Sequence, residues 1–222
     1  MESDILEKIA KICPQYKFTN PKKLGEGSMG TAWDIGNNIV LKITLDLSEA
    51  NASNIIKSKK LKHTNEIYDV FKITYPGSNK NAYLIFQKKL DPTSKEDQET
   101  IADFLMFLGF DEIGWGSEVI HTLEDTEFHN LIKTFYKRYL KRYTKTEKLT
   151  NFLMKLLRFY VDSKKELLSH KIDFNDYHDG NIMLDGDAFK IIDLGFSKAP
   201  NTEIDFKLIE SFRKYFNGRI SG

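Results

Sequence analysis

Phosphoryl transfer needs a carboxylate to take the proton of an acceptor hydroxyl and oxygen ligands for a divalent cation on the phosphates. This chain offers such a set. Asp176, Asn181 five residues later, and Asp193 beyond a short apolar hairpin lie in the strings Asp176-Tyr177-His178-Asp179-Gly180-Asn181 and Asp193-Leu194-Gly195. The spacing places the three at one loop mouth. Taken alone, the first string reads equally well as a polar loop of turn-forming residues.

Two further signals lie upstream. Gly25-Glu26-Gly27-Ser28-Met29-Gly30 is a G-x-G-x-x-G string, which by itself also marks dinucleotide-binding folds or a plain surface turn. A dinucleotide fold needs a helix to open at the third glycine. From Thr31 onward the residues read as strand and hairpin, which fits a glycine-rich hairpin whose backbone N–H groups approach an anion with no Cβ in the way. The second signal is Lys42 in Val40-Leu41-Lys42-Ile43, a cation within a strand pattern. It either points to water or turns inward to meet an anion.

The elements that must position these residues follow from periodicity. Residues 3–12 place Ile5, Leu6, Ile9 and Ile12 on one helical face, and residues 16–45 read as two or three short antiparallel strands with a turn at 36–38. Residues 48–61 read as a helix opened by Ser48, followed by strands at 66–74 and 82–87 around a turn at 75–78. Beyond Leu90 the pattern becomes helical, near 94–108, 122–143 and 148–169. Two apolar runs, 182–184 and 189–192, flank the turn 185–187, and a last helix is expected at 203–216.

Taken together and in this order, the motifs resemble those of the protein-kinase-like superfamily, over roughly residues 18–198. Leu24 to Gly30 resembles the nucleotide-covering loop, Val40-Leu41-Lys42 the phosphate-binding lysine strand, Asp176 to Asn181 the catalytic loop, and Asp193-Leu194-Gly195 the metal-binding D-F-G. The resemblance implies an α+β, two-lobed fold: residues 1–90 as a lobe with a leading helix, the glycine hairpin, a five-stranded sheet and one helix, and residues 91–222 as a reduced helical lobe. It implies ATP and Mg²⁺ as cofactors. Asp176 would be the catalytic base, with Lys42 and His178 beside the reaction and Asn181 and Asp193 on the metal. Gly25, Gly27, Gly30, Lys42, Glu49, Phe86, Gln87 and Lys89 would bind the nucleotide, the last three as the hinge at the adenine edge. The acceptor would be Ser or Thr of a protein. Alternatives are a small hydroxyl compound, as in the aminoglycoside and choline phosphotransferases, or no acceptor, the chain serving as a kinase shell that holds a host protein. The whole pattern resembles small kinase-like proteins of bacteriophages and large DNA viruses, which implies host cytoplasm or virion.

Departures from the family pattern carry expectations of their own. Phe174-Asn175 stands where most protein kinases have His-Arg, so basal activity without activating phosphorylation is expected. His178, the type found in the aminoglycoside enzymes, either approaches the transferring group or orients the loop by a hydrogen bond. The family interval for the glutamate that pairs with the lysine points to Asn54, whereas the one acid in that helix is Glu49, which at a helix start also reads as a dipole-complementing surface acid. No A-P-E-like string follows Asp193, so a minimal, C-terminally reduced fold is expected.

Composition excludes other classes. The 33 Lys and Arg nearly cancel the 32 Asp and Glu, so no global field draws the chain to nucleic acid or an anionic membrane. The basic, aromatic stretch 133–143 is the one local candidate for an acidic partner, or else the solvated side of a core helix. No apolar run approaches the roughly 18 residues of a membrane span, and the opening residues do not resemble a signal peptide. A soluble, cytoplasmic protein is expected. Cys13, the single cysteine, reads as a packed thiol.

Overall fold

A computed structural model describes residues 2–74, 81–108, 125–139, 141–195 and 197–208. It is α+β, with a six-stranded, mostly antiparallel sheet and five α-helices among the described residues. The chain divides into two compact units. The first comprises residues 1–61, 65–90 and the described part of 198–222; the second comprises residues 62–64 and 91–197.

In the first unit, α1 (Glu2–Ile12) lays Ile5, Leu6 and Ile9 onto a sheet built from β1 (Lys22–Glu26), β2 (Gly30–Gly36), β3 (Ile39–Thr44), β4 (Ile67–Thr74) and β5 (Asn81–Lys88). The strand order is β1-β2-β3-β5-β4-β8, where β8 is Asp205–Leu208. Cys13, Tyr16, Trp33, Ile35, Leu41, Ile43, Phe71, Leu84 and Phe86 complete this core. Tyr16 stacks on Phe86 with ring centroids 3.9 Å apart. Strand alternation sends Leu41 and Ile43 toward the α1 side and Lys42 to the opposite face. The expected turn joins β2 to β3, with Gly36, Asn37 and Asn38 all at positive φ, as a tight antiparallel hairpin favours.

Three expectations are corrected here. The helix α2 (Leu47–Lys59) is opened not by Ser48 but by Asp46, whose side chain accepts the N–H of Ser48. Its far end closes at Lys60, a lysine in the left-handed conformation. The sheet has six strands where residues 1–90 supply five. Residues 205–208, expected in a helix, pair in parallel with β4, Phe71 opposite Asp205 and Ile73 opposite Lys207. A β4 edge of unpaired N–H and C=O groups gains more from a strand than a four-residue piece gains from helix propensity. The turn at 75–78 and residues 209–216 lie outside the described residues.

In the second unit, α3 (Lys95–Leu108), α4 (Asp125–Arg138) and α5 (Glu147–Ser169) pack through aromatic side chains, Phe135 lying 5.1 Å edge-to-face from Phe104. Arg142 and Tyr143 reach Asp103 of α3, and burial, then the bond to Asp103, pushes the Tyr143 hydroxyl up to about 12. Phe135 and Tyr136 of the basic stretch are buried, while Lys133, Lys137, Arg138 and Lys141 are exposed. Residues 62–64 join this unit because Glu166 of α5 accepts the N–H groups of Lys62 and His63 and bonds the His63 ring. The hairpin β6 (Ile182–Asp185) and β7 (Ala188–Ile191) turns at Gly186-Asp187, with Gly186 at φ +61°. Among the described residues, no helix is long and apolar enough to cross a membrane.

Candidate active site

The second unit supplies the carboxylates. After α5 the chain runs in extended form through Phe174 and Tyr177, which turn inward and stack edge-to-face at 4.9 Å, so Asn175, Asp176 and His178 remain toward the surface. The loop is tied down by Lys164 of α5. This nearly buried ammonium donates to Asp173 Oδ1 at 3.1 Å, the Phe174 carbonyl at 2.8 Å and Asn175 Oδ1 at 2.6 Å. Burying a lysine is costly unless its donors are satisfied, and here three acceptors immediately before Asp176 satisfy them.

Asn181 ends a single 3₁₀ turn, Asp179–Asn181. Its Nδ2 donates to the Asp176 carbonyl at 2.9 Å and to Asp176 Oδ2 at 3.1 Å, which leaves Oδ1 as its acceptor atom. The register of β6 and β7 sets Ile182 opposite Ile191, and the Ile192 N–H reaches the Asn181 carbonyl at 3.0 Å. Asp193 therefore follows one residue beyond the partner of Asn181, at the same end of the hairpin. Its Oδ1 accepts the Gly195 N–H at 2.8 Å, which fixes the carboxylate. Leu194 beside it is buried.

His178 resolves toward the loop-orienting alternative. Its Nδ1 accepts the Gly180 N–H at 3.0 Å, so the other ring nitrogen carries the proton, and Nε2 lies 3.8 Å from Asp176 Oδ2. A Cβ at residue 180 would come within 2.9 Å of the His178 ring, so a side chain there would require the exposed ring to shift.

Lys42 and the glycine hairpin lie in the first unit. Lys42 Nζ lies 2.5 Å from Glu49 Oε1, the two side chains only 13% and 4% exposed. Glu49 is thus the partner of the strand lysine rather than a surface acid. Asn54, the position the family interval points to, instead bonds Thr202 Oγ1 and the Glu203 carbonyl. In the glycine hairpin the turn closes with the Gly27 N–H on the Gly30 carbonyl at 2.9 Å. A Cβ at Gly30 would lie 2.3 Å from the Ile43 carbonyl oxygen, so that glycine lets β2 lie against β3. Gly25 and Gly27 differ: neither takes a positive φ, and a Cβ on either meets nothing within 4 Å. Among the described residues nothing requires glycine at these two positions.

The expected hinge residues lie at and just beyond the end of β5. Phe86 is wholly buried in the α1-side core, and Gln87 is paired to β3 and β4 at once. The Lys88 N–H is given to the Glu66 carbonyl, the Lys89 N–H to the Asn38 carbonyl, and Lys89 Nζ to Asp34. That bond is the main reason the Asp34 carboxyl sits below its ordinary value. The Phe86 ring and these N–H groups are therefore committed within the protein.

Other nucleophiles are excluded on chemistry. Burial pushes the Cys13 thiol up to about 11, which keeps it unreactive at neutral pH. Among the described residues no group of three His, Cys, Asp or Glu side chains could hold a metal. The candidate set, one carboxylate and one amide oxygen from residues 193 and 181, suits a hard cation that keeps most of its ligands as water and phosphate oxygens, as Mg²⁺ does.

Lys164 is the residue that the sequence reading passed over. Its signal was present: it falls four residues after Tyr160 and seven after Leu157, on the apolar face of α5, where a lysine must have a reason to be. No protein-family model matches the chain, and no curated protein matches it.

Proposed function

We propose that this protein is a Mg²⁺-dependent phosphotransferase of the protein-kinase-like fold, its two compact units being a sheet lobe and a reduced helical lobe, and that it moves the γ-phosphoryl of ATP to a hydroxyl of a protein Ser or Thr. The observation that carries the reading is the bond from Asn181 Nδ2 to Asp176, which aims the amide oxygen and the carboxylate separately while the β6–β7 register brings Asp193 to the same hairpin end. In this reading Asp176 accepts the proton of the acceptor hydroxyl. Lys164, by fixing the three residues before it, holds that carboxylate in place. Asn181 Oδ1 and the Asp193 carboxylate hold the cation. Lys42, oriented by Glu49, meets the phosphates, and Gly25 and Gly27 put no Cβ in the way of the same anion. Mg²⁺-ATP, when bound, supplies the phosphoryl group and neutralises the charge of its transfer.

A small-molecule acceptor is the second reading, favoured by His178, the residue type found at this place in the aminoglycoside enzymes. A shell that merely holds a partner gains least, since it gives no reason to bury the pair Lys42 and Glu49. Labelled ATP, a generic protein acceptor and a panel of small hydroxyl compounds decide among the three. Wild type is expected to label protein, and Asp176→Ala to lower the rate by at least about a hundredfold. Label on a small compound alone moves the acceptor to the second reading; no transfer to any acceptor rejects the enzyme.

A further inference from the structure

The helix that carries Glu49 has little apolar surface to hold it in place. Along α2 the buried side chains are Glu49, Ala50, Asn51, Ala52, Ser53 and Ile56, of which Ile56 alone is a large apolar group. At the energy of apolar burial, two alanines and one isoleucine anchor thirteen residues weakly. What α2 has instead is a polar ladder at intervals of three, Ser48, Asn51 and Asn54, on one helical face.

Residues 199–203 occupy that ladder. The Ala199 N–H donates to Ser48 Oγ at 3.2 Å. Asn51 Oδ1 accepts both the Thr202 N–H and the Thr202 hydroxyl at 3.0 Å, while its Nδ2 donates to Asn201 Oδ1 at 3.3 Å. Asn54 Nδ2 donates to Thr202 Oγ1 at 3.1 Å and to the Glu203 carbonyl at 2.9 Å. One hydroxyl thus gives a proton to Asn51 and takes one from Asn54, using both capacities of a threonine at once. Immediately beyond, β8 locks the same segment to the edge of β4. The strap is fixed at both ends, on the helix and on the sheet that α2 must lie against.

We propose that residues 199–208 are a built-in positioning strap for α2, with Thr202 as its central fastener, and that Asn51, Asn54 and Thr202 keep Glu49 on Lys42 without a modification or a partner chain. The placement of Glu49 is independent of any reading of activity; its consequence for ATP rests on the phosphotransferase reading. Thr202→Val removes the shared hydroxyl at nearly constant volume, and Thr202→Ser keeps it.

In the full-length protein the test is the rate at which an amine-reactive acylating reagent modifies Lys42, read by peptide mass spectrometry. Lys164, a lysine of the second unit whose side chain is 6% exposed against 13% for Lys42, is the internal reference, each variant being compared with wild type at the same lysine. Thr202→Val is expected to raise Lys42 acylation about tenfold and to speed amide exchange over residues 47–59, leaving Lys164 unchanged, with Thr202→Ser at the wild-type rate. Asn51→Ala, which cuts the other side of the same bonds, is expected to match Thr202→Val. No rise at Lys42, or an equal rise at both lysines from general loosening, overturns the strap. ATP affinity measured on the same proteins separates the two readings. If Lys42 responds but wild type binds no ATP, the strap stands and the phosphotransferase falls. If wild type binds ATP and Lys42 does not respond, the reverse holds.

Discussion

A buried ion pair is a poor way to gain stability and an effective way to fix a charge. For a buried pair such as Lys42 and Glu49, replacing both members with apolar residues generally costs little, while removing one alone generally costs about 3–5 kcal/mol. The same asymmetry governs Lys164. Asp69 shows how such groups report on pH. Burial raises its carboxyl, but bonds from Lys57 and from the Tyr16 hydroxyl outweigh this and hold it below the ordinary 3.8. A carboxylate whose folded value lies below its unfolded one stabilises the fold above the unfolded value, and that stability is lost as pH falls through the folded value. Acidification below about pH 4 should therefore lower the melting temperature of wild type more steeply than that of Asp69→Asn. At pH 7 the variant should be less stable by about 2 kcal/mol. Parallel melting curves from pH 6 to pH 2.5 would show that Asp69 is not part of the acid transition. At this scale the sequence is informative where chemistry is local: Asp176 and Asn181 sit five apart and meet. It is silent where a partner is distant, as Asp69 and Tyr16 are.

The glycine hairpin separates two kinds of constraint on one element. Gly30 answers to the sheet, because a methyl group there would collide with the Ile43 carbonyl and part β2 from β3. Gly25 and Gly27 answer to nothing among the described residues. Gly30→Ala should cost about 2 kcal/mol and lower the melting temperature by several degrees. Gly27→Ala should melt with wild type yet bind ATP more weakly, since its added Cβ stands only where an anion would approach. Thermal melts and ATP titration of the two variants check this, and the opposite pattern would remove the phosphate-covering role. The hairpin was legible because glycine spacing and the Asn37-Asn38 turn are local signals. The last strand was not. Residues 205–208 carry no decisive preference of their own, and their strand state comes from the β4 edge, more than a hundred residues upstream in the chain. An apolar run ending at Phe86 to Lys89 says that a strand stops there; the donation of the Lys88 and Lys89 N–H groups to Glu66 and Asn38 was not legible for a related reason, because both acceptors are distant in sequence.

Across the whole molecule, the change from strand-rich to helix-rich composition near Leu90 marks one true crossing of the chain between its compact units, but not the others. Residues 62–64 are drawn to the second unit by Glu166, and 198–208 return to the first through β8 and the α2 ladder. Neither return has a compositional signature, since each depends on a partner far along the chain. The first unit is consequently not contained in its first ninety residues. A fragment of residues 1–90 would keep α1, α2 and five strands but would leave α2 with its two asparagines unpartnered, and Phe71 and Ile73 beside an open β4 edge. Without residues 199–203 the two asparagine side chains would bond water instead, a loss of about 0.5–1.5 kcal/mol for each bond exchanged, which summed over the ladder is a large share of the stability of a small domain. An exposed edge strand invites pairing between copies. The fragment should therefore be partly unfolded or self-associated by sedimentation and amide exchange, and appending residues 198–208 through a flexible linker should return it to a folded monomer. A fragment that is monomeric and protected over residues 47–59 without them would mean that the sheet and α1 alone position α2, and that the returning segment is an ornament on a lobe already complete.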